Sequence, residues 1–243
     1  MNEAARAADR WEPALSAAGF VLAGGQSSRM GTDKALVQLA GRPLIEYALH
    51  ILRDAGLNAA IAGARTADLV QFAPVIPDAE SDCGPLAGIC AALASTSVPL
   101  AAFLSVDSPF LPASLLDYML HHALVTGAAV TLASVNGFAQ TFPAVIDRRT
   151  ETSLENSLHA GKSGCFTAFQ TAARAIASPL SVLPIEQLVQ SGQVVHRAAL
   201  PAYQWFTNIN SRDELSHATS LAIRIQLNRY IPAQPPPWRA SIA

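Results

Sequence analysis

The segment Leu22-Ala23-Gly24-Gly25-Gln26-Ser27-Ser28-Arg29-Met30-Gly31-Thr32-Asp33-Lys34 gathers the residues of this sequence best suited to hold a polyanion. Its glycines let backbone N–H groups approach and surround an anion, and Arg29 and Lys34 add full positive charge. The chain has only two lysines, Lys34 and Lys162, and one of them falls here. The segment is neither of the common phosphate loops: GxGxxG is absent, and no glycine is followed by the Lys-Ser or Lys-Thr of a Walker A sequence at that spacing. An ordinary strand-to-helix turn with solvated Arg and Lys is the alternative. Two aspartates and two asparagines have the right chemistry to work beside it. Asp107 ends the apolar run Leu100 to Val106 just before Ser108-Pro109. A carboxylate placed there meets solvent and can hold a divalent cation without becoming a buried unpaired charge, or it merely caps the turn. Asp78 follows Val75-Ile76-Pro77 and precedes Gly84-Pro85, as an acceptor for base or ribose donors or as a turn former. Asn208 and Asn210 flank Ile209, so in an extended segment both amides face one side while Ile209 packs inward, unless the three form a turn before a Ser211-capped helix.

Positioning these groups requires strands that end at one edge. Gly19 to Ala23 reads as a strand, and Pro43 opens an apolar-periodic helix (Leu44, Ile45, Ala48, Leu49, Ile51, Leu52, Ala55) closed by Gly56. Asn58 to Ala62 reads as a second strand, Asp68 to Phe72 as a short helix, and Val75 to Pro77 as a third strand. Leu86 to Ala94 suits a helix, Leu100 to Val106 a strand, and Pro112 to Leu124 a helix started by its proline. Continuous apolar strands separated by helices imply a parallel sheet covered on both faces, an α/β three-layer αβα sandwich. In such a sheet ligands bind at the carboxyl edge. Farther on, Phe142 to Ile146 is expected as a strand, Ser153 to His159 and Phe166 to Ala173 as helices, and Val194 to Leu200 and Gln204 to Thr207 as added edge strands. A single domain over residues 19–230 is expected, with an N-terminal extension at 1–18 and a proline-rich tail at 231–243.

Of the 243 residues, 51% are hydrophobic and 14% charged, and the formal net charge is −2. With a pI near 6.3, the chain has no basic field able to release counterions from a nucleic-acid backbone. Cys83, Cys90 and Cys165 form no CxxC pair and leave an odd count, which points to a reduced cytoplasm rather than to zinc or a disulfide framework. The uncharged stretch from Cys83 to Val106 is interrupted by Ser95, Thr96, Ser97 and Pro99, so it reads as a buried helix and strand rather than a membrane span. The six histidines lack metal spacing and read as surface residues or helix ends.

Taken together, LAGGxSxRMGxDK at Leu22 to Lys34 resembles the signature of the molybdenum cofactor guanylyltransferases, the MobA type, within the nucleotidyltransferases. Gly41-Arg42-Pro43-Leu44 is similar to the family's GxPL, and Asp78 with Gly84-Pro85-Leu86-Ala87-Gly88 to its second motif. Val106-Asp107-Ser108-Pro109-Phe110 is similar to its metal-binding Asp-x-Pro, and Asn208-Ile209-Asn210 with Glu214-Leu215 to its late NxN segment. The resemblance runs in the family's order from Gly19 to about Leu215. It implies a Rossmann-like fold of the nucleotide-diphospho-sugar transferase kind, and transfer of GMP from Mg-GTP to the phosphate of molybdopterin with release of pyrophosphate. It implies Arg29, Lys34 and Asp107 as catalytic residues, with Asp107 the Mg²⁺ ligand. Leu22, Ala23, Gly24, Gly25, Lys34, Asp78 and Asp107 would bind the nucleotide, the backbone at Leu22 and Ala23 joining Asp78 in reading guanine. Gln140, Asn208 and Asn210 would serve the second substrate. Ala62 stands where the family usually has an asparagine near guanine. Transient partners would be molybdenum-insertion or molybdoenzyme maturation proteins, with neither nucleic acid nor membrane involved. The alternatives are a cytidylyltransferase, a sugar-phosphate nucleotidyltransferase, and a carrier that keeps the cradle for recognition alone. Gly24 and Asp33 speak against CTP by the same resemblance, since cytidylyl relatives more often have alanine and proline there. The pairing of Lys34 with Asp107 speaks against a carrier, which has no evident need of a metal ligand aimed at phosphates.

Overall fold

The computed structural model describes residues 17–24, 33–64, 67–78, 84–161 and 164–227. Gly25 and Arg29, like the expected N-terminal extension up to residue 16 and the C-terminal tail, lie outside the described residues. Strand β1 (Ala17–Leu22) is central, with β4 (Asn58–Ala62) and then β5 (Val75–Ile76) on one side and β6 (Leu100–Ser105) on the other. Beyond β6 come β8 (Phe138–Asp147), β7 (Val130–Val135) and β9 (Leu180–Pro184), giving the order β5-β4-β1-β6-β8-β7-β9. Only β8 runs antiparallel to its neighbours. A small antiparallel pair, β2 (Gln38–Leu39) and β3 (Arg42–Pro43), sits apart from this sheet and holds the GxPL residues.

Side-chain alternation along β1 sorts the core into two layers. Val21 joins one apolar cluster together with helices α1 (Leu44–Asp54) and α3 (Ala113–Thr126). Phe20 and Leu22 join the other, with α2 (Pro85–Ala94), α4 (Glu151–His159) and α5 (Cys165–Ala175). Helix α1 buries Leu44, Ile45, Ala48, Leu49, Ile51 and Leu52, one continuous stripe at helical spacing. Helix α2 and strand β6 occupy the uncharged stretch, as its interruptions suggest, and no helix among the described residues is long and apolar enough to cross a membrane.

The C-terminal third departs from the expectation at the sheet edge. Neither Val194 to Leu200 nor Gln204 to Thr207 is a strand; the edge is β9, which pairs in parallel with β7 from Leu180 to Pro184. Pro201 instead starts the short helix α7 (Ala202–Trp205), which follows α6 (Ile185–Gln190), and the Trp205 indole N–H donates to Leu200 O at 2.8 Å. Burial of the one large ring decides the conformation of this stretch more strongly than its β-branched residues do. His196 likewise is no surface residue: it is half-buried and stacks on Trp205, with ring centroids 6.0 Å apart, and burial lowers its pKa. Helix α8 (Arg212–Leu227) returns across the molecule, and Ala218, Leu221 and Ala222 complete the cluster under α1 and α3.

Candidate active site

From β1 the chain winds outward through β4 to β5, then crosses back over β1 to β6. The winding therefore reverses between β1 and β6, and a crevice opens outside their carboxyl ends, where open α/β sheets bind ligands. Leu22 and Ser105 are register partners at that edge. The chain leaves β1 toward Gly24, and leaves β6 toward Asp107.

Lys34 opens a 3₁₀ turn (Lys34–Leu36) whose cap is Asp33, the Asp33 Oδ1 accepting the Ala35 N–H at 3.0 Å. Buried Ala35 anchors the turn in the core. The Lys34 ammonium then reaches Asp107 Oδ2 at 2.8 Å and Asn210 Oδ1 at 2.6 Å. Both charged side chains are mostly covered, 21% exposed for Lys34 and 17% for Asp107, which strengthens their attraction relative to a solvated surface pair. The other carboxylate oxygen, Oδ1, accepts the hydroxyl of Ser105 at 2.5 Å. The Ser108 oxygen lies 3.4 Å from Oδ1, and its hydroxyl donates to Asn208 Oδ1 at 2.8 Å. Ile209 is fully buried, and its N–H donates to Asp107 O at 3.1 Å. One inward side chain and one backbone bond thus fasten the NxN segment beside Asp107, with an amide on either side of the anchor. At the start of α8, Ser211 accepts the Glu214 N–H at 3.2 Å, and Glu214 reaches back to accept the Asn210 N–H at 2.7 Å. This is a capping box shifted by one residue. The Asn210 N–H, followed by the Ser211 hydroxyl, holds the Glu214 carboxyl below the usual carboxylate range.

The residues around Asp78 are arranged differently. Gly63 follows β4 with φ +73°, and a Cβ there would lie 3.3 Å from both Asp78 carboxylate oxygens and from the Gly24 N. On α2, a Cβ at Gly88 would meet Asp78 Oδ1 at 3.4 Å and Leu22 Cδ2 at 3.2 Å, and one on Gly24 would meet Gly63 O at 2.9 Å. The Asp78 carboxylate is therefore seated against glycine backbone from two elements. Ala62 is fully buried. The Ala23 N–H donates to Ala62 O at 3.0 Å and Leu22 O accepts from Val106 N at 3.4 Å, so these two groups continue the sheet bonding just past the strand ends.

Lys34, Asp107, Asn208 and Asn210 thus converge, while Asp78 and Gly24 form a second group across β1 and β4. Gln140 lies on the first half of antiparallel β8, which begins toward the same edge, in register with Ala133 of β7, and its amide donates locally to Phe138 O at 3.0 Å. Ser105 and Gly63 carry no mark in the sequence reading, and Ser108, Gly88 and Glu214 enter it only as motif letters. Strand alternation was the available signal for Ser105, because residues 105 and 107 share a side of an extended chain.

The pattern for the MobA-like NTP transferase domain matches residues 19–176. The chain belongs to this family. Among its relatives, the molybdenum cofactor guanylyltransferase of Vibrio atlanticus is 36% identical over 144 residues, covering 58% of this chain and 74% of the relative. That of Pseudomonas putida is 34% identical over 147 residues, covering 59% and 76%. Among solved structures, the molybdopterin-guanine dinucleotide biosynthesis protein A of Archaeoglobus fulgidus superposes with a TM-score of 0.68 at 21% identity, over 85% of this chain and 98% of that one. The 2-C-methyl-D-erythritol 4-phosphate cytidylyltransferase of Thermus thermophilus gives 0.58 at 17% identity, over 84% and 98%. At such identities the structural likeness establishes the fold shared with nucleotidyltransferases. The family match takes in the cradle, Asp78 and Asp107, whereas Asn208 and Asn210 lie beyond it.

Proposed function

We propose that this NTP transferase moves GMP from Mg-GTP to the terminal phosphate of molybdopterin, releasing pyrophosphate and forming a guanine dinucleotide cofactor. The observation that carries the reading is the convergence of Lys34, Asp107 and Asn210 at the crevice between β1 and β6. The guanylyltransferase relatives support the choice of base and acceptor. An acceptor phosphate oxygen bonds to the α-phosphorus while the bond to the bridging oxygen of pyrophosphate breaks, so the work is chiefly positioning and charge stabilisation. Lys34, on its flexible stem, would follow the phosphates, with Arg29 assisting from the turn. Asp78, backed by Gly63 and Gly88, would accept the guanine N–H donors. Asn208 and Asn210, with Gln140 at the same edge, would face the acceptor.

The residues present fit a Mg²⁺ ion. Asp107 Oδ2 and Asn210 Oδ1 already converge on one cation, the Lys34 ammonium, and Mg²⁺ commonly takes one or two carboxylates with substrate phosphates and waters. When bound, Mg²⁺ would offset charge developing on the triphosphate and the departing pyrophosphate. We read residues 19–230 as one domain, supported by the packing of α8 into the core under α1 and α3. A cytoplasmic location, with handover to molybdoenzyme maturation proteins, fits a Cys165 thiol that is buried and in no disulfide. The test is incubation with Mg²⁺, molybdopterin and each NTP in turn, with products read by mass spectrometry. A guanine dinucleotide product is expected; a cytosine product would replace the base assignment, and no dinucleotide product from any NTP would overturn the reading.

A further inference from the structure

The carboxylate and the main-chain segment that carry the oxygen pair occupied by Lys34 are anchored by bonds in which Lys34 takes no part. The Ser105 hydroxyl donates to Asp107 Oδ1 and leaves Oδ2 turned to the ammonium. Glu214 holds the main chain of Asn210, and Ile209 anchors the same segment to the backbone of Asp107. Asp107 Oδ2 and Asn210 Oδ1, carried by these anchored segments, form a two-oxygen seat for a cation, and the chain's own ammonium sits in it at 2.8 and 2.6 Å. An ammonium and a divalent ion cannot both bond these two oxygens: about 4 Å apart in partly screened surroundings, their repulsion costs roughly ten-fold or more in affinity. A triphosphate changes the balance. Its oxygens receive the ammonium on its flexible four-carbon stem, and they also ligate the metal, so both cations gain partners when it arrives.

We propose that Lys34 and a divalent cation compete for the Asp107–Asn210 oxygen pair, so that the protein alone holds metal weakly and the triphosphate releases the seat by drawing Lys34 away. Metal and nucleotide then bind cooperatively, by removal of a competitor in addition to direct coordination. This rests on the reading of the crevice as a triphosphate site, and deepens it.

The test is a titration of the full chain, without nucleotide, with Mn²⁺ alone, the unbound ion being read by its electron paramagnetic resonance signal. Lys34→Met, which removes the charge and keeps the length, is expected to bind Mn²⁺ at least about ten-fold tighter than the wild type. Lys34→Arg, which keeps the charge, is expected to bind as weakly as the wild type, and the Lys34→Met gain is expected to vanish when Asp107→Asn is added. Should Lys34→Met not fold, Lys34→Gln makes the same comparison. Unchanged or weaker Mn²⁺ binding by the uncharged variant overturns the proposal. So does an equal gain in Lys34→Arg, or a gain that survives Asp107→Asn. Binding of a fluorescent GTP analogue to the wild type with Mn²⁺ reports separately on the nucleotide reading. Its absence alongside a Lys34→Met gain would sink that reading and leave the competition between cations standing.

Discussion

Asp107 and Asp78 each follow a strand at the same edge of the sheet, yet their surroundings are built on opposite plans. Asp107 is met by side-chain donors: the ammonium of Lys34 and the hydroxyl of Ser105. Asp78 is met by glycines from two elements, with so little room that a Cβ at Gly63 or Gly88 would come within 3.3 to 3.4 Å of its carboxylate. On the proposed function, Asp107 holds cations and stabilises changing charge, which preorganised polar partners favour, and Asp78 reads a base, which a shaped recess favours. The groups around Asp107 are conspicuous in a sequence as chemistry, whereas the glycines against Asp78 are not.

The sharpest way to break this contrast is to neutralise each carboxylate in turn. Asp107→Asn is expected to lower kcat by about 100- to 1,000-fold, since it removes the carboxylate that pairs with Lys34 and that, on the proposed function, would hold Mg²⁺. Asp78→Asn should instead weaken GTP binding by about ten- to a hundredfold, with turnover at saturating GTP largely kept. Steady-state kinetics of pyrophosphate release separate the two, and matching profiles would show that the aspartates do not divide the work. A smaller effect comes from Gly63→Ala set against Gly56→Ala. Both glycines have positive φ, +73° and +78°, but a Cβ at Gly56 meets nothing within 4 Å. Backbone strain should cost either variant about 1–3 kcal/mol in denaturant unfolding. Loss of GTP affinity should accompany Gly63→Ala alone, and equal binding by the two variants would remove the shaped recess from the account.

The smallest effect is expected at Glu214. Its folded pKa is lowered, so its bonds contribute stability above the pKa of the unfolded chain, and this contribution is lost as pH falls through the depressed folded value. Glu214→Gln should therefore lower the melting temperature at neutral pH by less than Gly63→Ala does, with the gap from wild type closing in acid. A gap that is independent of pH would mean that the carboxylate charge does not hold the Asn210 main chain.

The strands of the β1-to-β6 half were legible because each carries its own punctuation. Proline and glycine bracket α1, the apolar run of β4 stops at Gly63 and that of β6 at Ser105, so local pattern and final structure agree. The stretch from Leu180 to Trp205 was not legible. Short apolar runs of five to seven residues fit strand or irregular chain alike, and pairing of β9 with β7 together with burial of Trp205 decided between them.

By itself the sequence determined which residues carry charge and hydrogen-bonding capacity, that Asp78 and Asp107 follow strands, and that Ile209 would anchor two flanking amides. It did so because those properties belong to residue type and to the periods of helix and strand. Only the tertiary structure decided that Lys34 meets Asp107 across 73 residues and Asn210 across 176, and that Gly63 and Gly88 close on Asp78. Contacts of that separation depend on strand order, on the return of α8 over the core and on ångström-scale register, none of which a local pattern specifies.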